Sequence, residues 1–110
     1  MRSAAEAVQQ WLEESALMAP LTPVLAGIDG TPVLSRTRTI ETLARQTAET
    51  IRWHACLEGL REAGCSVLLE LGPGADLARM ARDRLPGIPA RSIAEFRSLE
   101  GVVAWTNRHL

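Results

Sequence analysis

The sequence predicts an α/β fold, a partial parallel sheet of about three strands flanked by helices. Helical patterns with apolar residues three and four apart alternate with short apolar runs. The run Ser66-Val-Leu-Leu-Glu-Leu71 is almost continuously apolar, as in strands covered on both faces, and such strands belong to parallel sheets. It breaks into Gly72-Pro73-Gly74 and then a new helical pattern, a strand-turn-helix unit. With 110 residues, 46% of them apolar, the chain is read as one segment, 1–110, able to bury a core.

The first helix is expected after Ser3-Ala-Ala-Glu6, a capping-box pattern, with Ala5, Val8 and Leu12 on one face. Pro20 and Pro23 end that region, and Pro23 to Gly30 reads as a short strand leaving through a glycine turn. A second helix carries Ile40, Leu43, Ala44, Thr47, Ala48 and Ile51 inward. A third aligns Trp53, Leu57 and Leu60, with Gly64 placed to stop it. After the Ser66–Leu71 strand, a helix buries Leu77, Met80, Ala81 and Leu85 until Pro86-Gly87 breaks it. Ile88 to Ile93 is expected as an edge strand, because Pro89 donates no hydrogen bond. A last helix from Ser98 is expected to bury Leu99, Val102, Val103, Thr106 and Leu110.

Composition excludes several function classes. Twelve arginines, no lysine and thirteen acids give a net charge of −1, which leaves no basic footprint for nucleic acid. The all-arginine usage fits a GC-rich coding bias better than phosphate recognition, since Ala, Gly and Pro are abundant too. No apolar run approaches the ~20 residues that cross a bilayer, and no signal peptide is visible. Cys56 and Cys65 make no metal pattern and read as free thiols, so a cytoplasmic location is expected.

A serine acyltransferase of α/β type needs its nucleophile on a crowded elbow, Gly-x-Ser-x-Gly. None of Ser3, Ser15, Ser35, Ser66, Ser92 and Ser98 has glycine two residues away on both sides. His54, near a helix start, is a candidate general base, but an exposed helix residue is the plainer reading. His109 lies beside the C-terminus, where fraying is expected. Cys56 is two residues from His54, on a different helical face, so it reads as a buried small hydrophobe. Gly72-Pro73-Gly74 before a helix lacks the spacing of a phosphate loop, and Pro73 removes one of the N–H groups such a loop needs. Glu70, a carboxylate in an apolar strand, needs a partner and reads as a group bonded to backbone or arginine. Trp11, Trp53 and Trp105 each fall in a helical pattern and read as core or interface packing.

Arg45-Gln46, then Ile51-Arg-Trp53, then Leu69-Glu-Leu-Gly-Pro-Gly74-Ala-Asp-Leu77 resemble the malonyl-CoA:acyl carrier protein transacylase family. The interval from Gln46 to Trp53 matches that family, with Ile51 for the usual Val and Thr50 for the usual Pro. Glu70, Gly72, Pro73 and Gly74 match its strand-turn, Met1 to Glu6 resembles its helix after the catalytic histidine, and Pro23-Val-Leu resembles the next strand. Phe96-Arg-Ser-Leu99, Gly101-Val-Val and Trp105 resemble more specifically the malonate decarboxylase epsilon subunit, a member that malonylates a carrier-protein subunit.

The resemblance covers essentially the whole chain. It implies the C-terminal part of the family's large, α/β-hydrolase-like subdomain. In the family a serine attacks the malonyl thioester of CoA with a histidine's help, and the malonyl-serine ester is passed to a carrier-protein phosphopantetheine. An arginine pairs with the malonyl carboxylate. The resemblance places that serine and arginine well upstream of this chain, and the histidine a few residues before Met1. Gln46 is the one active-site position retained, a support for the histidine. The chain then reads as a segment that is inactive alone, with no bound cofactor or metal, from a truncated frame, a mis-set start or an excised piece. The other class of reading is a non-catalytic subunit that self-associates or docks onto a missing N-terminal half. A third is a self-sufficient enzyme using His54 or Glu70.

Overall fold

The computed structural model describes residues 2–110. The Met1 end of the Met1–Glu6 resemblance lies outside the described residues. The chain divides into two compact units, one ending at Leu60 and the other running from Arg61 to Leu110.

In the first unit, α1 (Arg2–Glu13) packs on α2 (Arg36–Gln46). Ser3 lies inside α1 rather than capping it, so the capping-box expectation fails there. No residue of α1 is fully buried; Ala4, Ala5, Val8 and Leu12 are half-buried. The Arg36 guanidinium holds the end of α1 in place. It donates to the carbonyls of Leu12 (3.3 Å), Glu13 (2.8 Å), Ser15 (3.2 Å) and Leu17 (2.7 Å). A helix leaves its last carbonyls without intrahelical partners, and a cation there also meets the favourable end of the helix dipole.

The expected strand from Pro23 to Gly30 forms only a single antiparallel bridge, Leu25 with Pro32. Gly30 N–H donates to the Ala26 carbonyl at 2.7 Å, and Asp29 accepts from the Thr31 N–H at 3.0 Å and its hydroxyl at 2.7 Å. That turn reverses the chain after a few residues, and Pro23 and Pro32 cannot donate to a longer ladder. Ala26, Ile28 and Val33 are buried around it as a small core.

Ser35 caps α2 by accepting from the Arg38 N–H. The helix ends at Gln46, five residues short of Ile51, and buries Ile40, Thr42 and Ala44. Leu43 and Ala48, expected inside, are exposed. Thr42 takes the inner position because its hydroxyl donates to the Arg38 carbonyl one turn back, which removes the penalty of burying it.

α3 (Trp53–Glu62) follows, with Cys56 and Leu57 buried, and Gly64 at φ +83° closes it as expected. Its early part lies directly on the Gly30 turn. A Cβ on Gly30, at φ +72°, would sit 2.4 Å from the Ala55 carbonyl oxygen, and one on Gly59 would sit 2.6 Å from the Gly30 oxygen.

In the second unit, β1 (Leu68–Glu70) and β2 (Ala90–Ser92) pair in parallel, Leu68 opposite Ala90 and Glu70 opposite Ser92. α4 (Asp76–Arg84) is the crossover. The α/β class is as expected. The sheet has two strands among the described residues rather than about three, since the Pro23 segment contributes only its bridge. α4 packs on both strands through Ala78 and Ala81, small enough for close approach, while Leu77 and Met80 are half-buried. β2 begins just after Pro89, whose carbonyl accepts from Leu68 N–H.

Ser92 and Glu95 form a reciprocal capping box on the short 3-10 turn Ile93–Glu95. α5 (Leu99–His109), capped by Ser98, buries Val102 and Trp105. Leu99, Val103 and Leu110, expected inside, are exposed. The helix is rotated so that Trp105 meets the Phe96 ring, centroids 5.6 Å apart, and that large aromatic pair outweighs the smaller aliphatic stripe.

Candidate functional site

Gln46 is the last residue of α2, where the chain leaves the helix and folds back. Ala48 and Glu49 N–H groups close the turn on the Arg45 carbonyl, and Arg45 holds Glu49 at 2.7 Å. Arg52 N–H then donates to the Gly27 carbonyl at 2.8 Å, which sets the start of α3 against residue 27. A Cβ on Gly27 would lie 3.2 Å from Ile51 Cγ2 and 3.3 Å from Gln46 Oε1. Glycine at 27 therefore lets both side chains pack on the backbone.

Gln46 and Trp53 line one groove of about 630 Å3 in the first unit, with Leu17, Met18, Val24, Leu43 and Ile51 among its apolar walls. Its other polar groups are engaged locally. Thr39 and Thr42 hydroxyls donate to helix carbonyls, and Cys56 Sγ lies 3.6 Å from the Gly27 oxygen. Burial, with the Asp29 charge adding, pushes the Cys56 thiol up from its ordinary value, which disfavours the reactive thiolate. His54 is exposed at the second position of α3. Among the described residues no arginine or histidine lines the groove. Beside it, Asp29 is held below the usual carboxylate range by the Thr31 hydroxyl, with Arg38 at 2.6 Å contributing less.

Glu70, Gly72, Pro73 and Gly74 belong to the second unit. Glu70 Oε1 accepts from the Ala78 N–H at 2.9 Å, so a carboxylate from β1 caps α4 across the turn. Ala75, at the N-cap position, has no side-chain bond to offer. One of the N–H groups that invite an anion at this end, that of Ala78, is thus met from within the chain. Gly72 and Gly74, at φ +85° and +79°, supply the left-handed backbone the turn requires. The Ser92 hydroxyl donates to the Gly74 carbonyl and ties the turn to the end of β2.

Glu95 is held below its ordinary value first by the Ser92 N–H and then by Arg82. Arg82 also donates to the Ala90 carbonyl, and Arg91 lies 3.8 Å over the Phe96 ring. His109 meets Trp105 edge-on at 5.3 Å. Of the three tryptophans only Trp105 is core; Trp11 is 67% exposed. Ser15, Ser35, Ser92 and Ser98 are spent on caps and turns. The described residues hold no group of three or more His, Cys, Asp or Glu side chains placed for a metal. None of their helices is long and apolar enough to cross a membrane. Sequence reasoning missed Gly27, which lines the groove, and Gly59, which packs on the Gly30 turn. Sequence spacing carries no signal for a glycine that matters through a distant backbone.

No family model matches the chain. It is 34% identical over 81 residues to the malonyl CoA-acyl carrier protein transacylase of Mycobacterium tuberculosis, covering 74% of this chain and 27% of that protein. The protein of the same name from Haemophilus influenzae is 29% identical over 103 residues, 91% of this chain and 33% of that one. A crystal structure of MCAT from Mycobacterium tuberculosis matches with a TM-score of 0.78 and 27% identity, over 94% of this chain and 33% of that chain. The chain spans about a quarter to a third of the length of the relatives it matches. Sequence and structural likeness together support the malonyl CoA-acyl carrier protein transacylase family.

Proposed function

We propose that the chain is the C-terminal portion of a malonyl transferase that moves malonyl from CoA to a carrier-protein phosphopantetheine through a serine ester, and that it does not catalyse this alone. The observation that carries the reading is the likeness to MCAT over 94% of this chain and a third of the other. Ser15, Ser35, Ser92 and Ser98 are engaged in caps and turns and the Cys56 thiol is buried, so none of these offers a ready nucleophile. Gln46, in the groove beside Trp53, is the residue we assign to hold the catalytic histidine. The malonate decarboxylase type, an acyl carrier protein as partner and a cytoplasmic location belong to the same proposal. The first rests on the residues from Phe96 to Trp105, and the last on the two unbridged thiols.

Two measurements test it. The purified chain incubated with malonyl-CoA and a phosphopantetheinylated carrier protein is expected to give no malonyl-carrier product by mass spectrometry; turnover overturns the inactivity. A chimera in which this chain replaces the matching segment of the M. tuberculosis MCAT is expected to transfer malonyl, and Gln46→Ala in it to lower kcat tenfold or more. A folded chimera without transfer overturns the catalytic reading.

The second reading, a non-catalytic docking subunit, is favoured by large apolar side chains left in solvent, Leu21 at 100% exposure and Met18 at 74%. A chain that stays monomeric by light scattering at high concentration counts against it.

A further inference from the structure

We infer that the apolar groove of the first unit is a docking surface for the part of a malonyl transacylase fold that this chain does not span, and that the two pieces assemble even as separate polypeptides. This rests on the family reading above. The groove occupies about 630 Å3 and its walls are apolar, yet Met18, Val24 and Trp53 stand 74%, 47% and 40% exposed. Apolar area left in water costs about 25 cal/mol per Å2, so such a surface gains from being covered.

The lining chemistry selects the occupant. A CoA-like or carboxylate ligand needs convergent cations or donors to fix it. Among the described residues no arginine or histidine lines the walls, the Thr39 and Thr42 hydroxyls already serve backbone carbonyls, and the Gln46 amide adds a polar group without charge. What the surface fits is the apolar face of a polypeptide.

The structural likeness indicates which polypeptide. The matched fold is one third of the MCAT chain, so two further thirds of that chain lie outside the match. The rim is also held ready. Arg36 fixes the carbonyls of Ser15 and Leu17, and the Val33 N–H bonded to the Val24 carbonyl at 2.8 Å fixes the other side. A surface ordered before binding loses less entropy on docking.

The test is co-production of the full 110-residue chain with the two thirds of the M. tuberculosis MCAT that the likeness leaves out. A 1:1 complex is expected on size-exclusion with light scattering. Amide exchange should slow across residues 17–25 and 43–53. Val24→Asp or Leu43→Asp, at half-exposed positions that tolerate the change in the free chain, is expected to weaken the complex a hundredfold or more. Leu110→Asp is expected to leave it unchanged. No complex, a complex indifferent to the two groove substitutions, or a homodimer of this chain alone overturns the proposal.

The MCAT chimera guards against a partner piece that fails to fold. Exchange at residues 17–25 no slower there than in the isolated chain also overturns it. A complex without malonyl transfer leaves the docking standing and sinks the catalytic reading. An active chimera with no assembly in trans sinks the docking alone.

Discussion

The two units solve the same problem differently. The unit from Arg61 to Leu110 is regular, a parallel strand pair with a helical crossover, and its polar side chains sit at element ends as caps: Glu70 on α4, Ser92 with Glu95 on the 3-10 turn, Ser98 on α5. Among its described residues the unit ending at Leu60 has no ladder beyond one bridge. It is held by close backbone approaches at Gly30 and Gly59 and by one guanidinium gathering four carbonyls. The regular unit distributes its order over repeated local rules. The other concentrates it in a few positions, and should be brittle at those positions.

The largest expected effect breaks the comparison at its sharpest point. Gly30→Ala places a Cβ 2.4 Å from the Ala55 oxygen, at a backbone that favours glycine. A loss of about 4 kcal/mol or more is expected, the range of exceptional single substitutions. Gly74→Ala has the same backbone sign but open space around it, and should cost only about 1 kcal/mol. Urea denaturation followed by amide exchange in each unit reads the difference; equal costs would dissolve the contrast.

Next come the polar anchors. Arg36→Ala is expected to free the end of α1 and to cost about 2 kcal/mol, on the scale of hydrogen bonds to charged groups. Glu70→Ala should cost about 1 kcal/mol, as a lost helix cap does. Exchange at residues 12–18 in the first variant and 76–79 in the second locates each loss.

The smallest effect is acid sensitivity. Asp29 in the first unit and Glu95 in the second are both held below their ordinary values, the one chiefly by the Thr31 hydroxyl, the other by the Ser92 N–H. The ionised form therefore favours the fold. Its contribution is full above the unfolded value near pH 4 and is lost as pH falls through the lower folded value. Both groups are partly exposed, so each contributes under about 1 kcal/mol. Asp29→Asn should flatten the acid limb of a circular-dichroism titration, and Glu95→Gln likewise.

Legibility in the sequence follows the same division. The strand-turn-helix from Ser66, the stop at Gly64 and the Ser98 cap are local rules written in neighbouring residues, and they were readable. The reversal at Asp29 was not, because a short apolar run with a glycine reads equally as strand or turn. The face of α5 was misread because aliphatic spacing gives no hint that Phe96 draws Trp105 inward. In the candidate site, Gln46 and Trp53 were readable through resemblance. Their shared groove depends on Gly27, whose part is played through residues 19 and 24 positions away.

The Glu70 cap also constrains how this chain can change. Because the carboxylate leaves β1 and closes on Ala78, the segment between them is a ring of fixed circumference. Leu71 and Asp76 on its rim are exposed and can be exchanged for others, whereas Gly72 and Gly74 hold left-handed backbone. Adding or deleting even one would draw the carboxylate away from the N–H it serves. Among all the loops of the second unit, this one should tolerate substitution far better than any alteration of length.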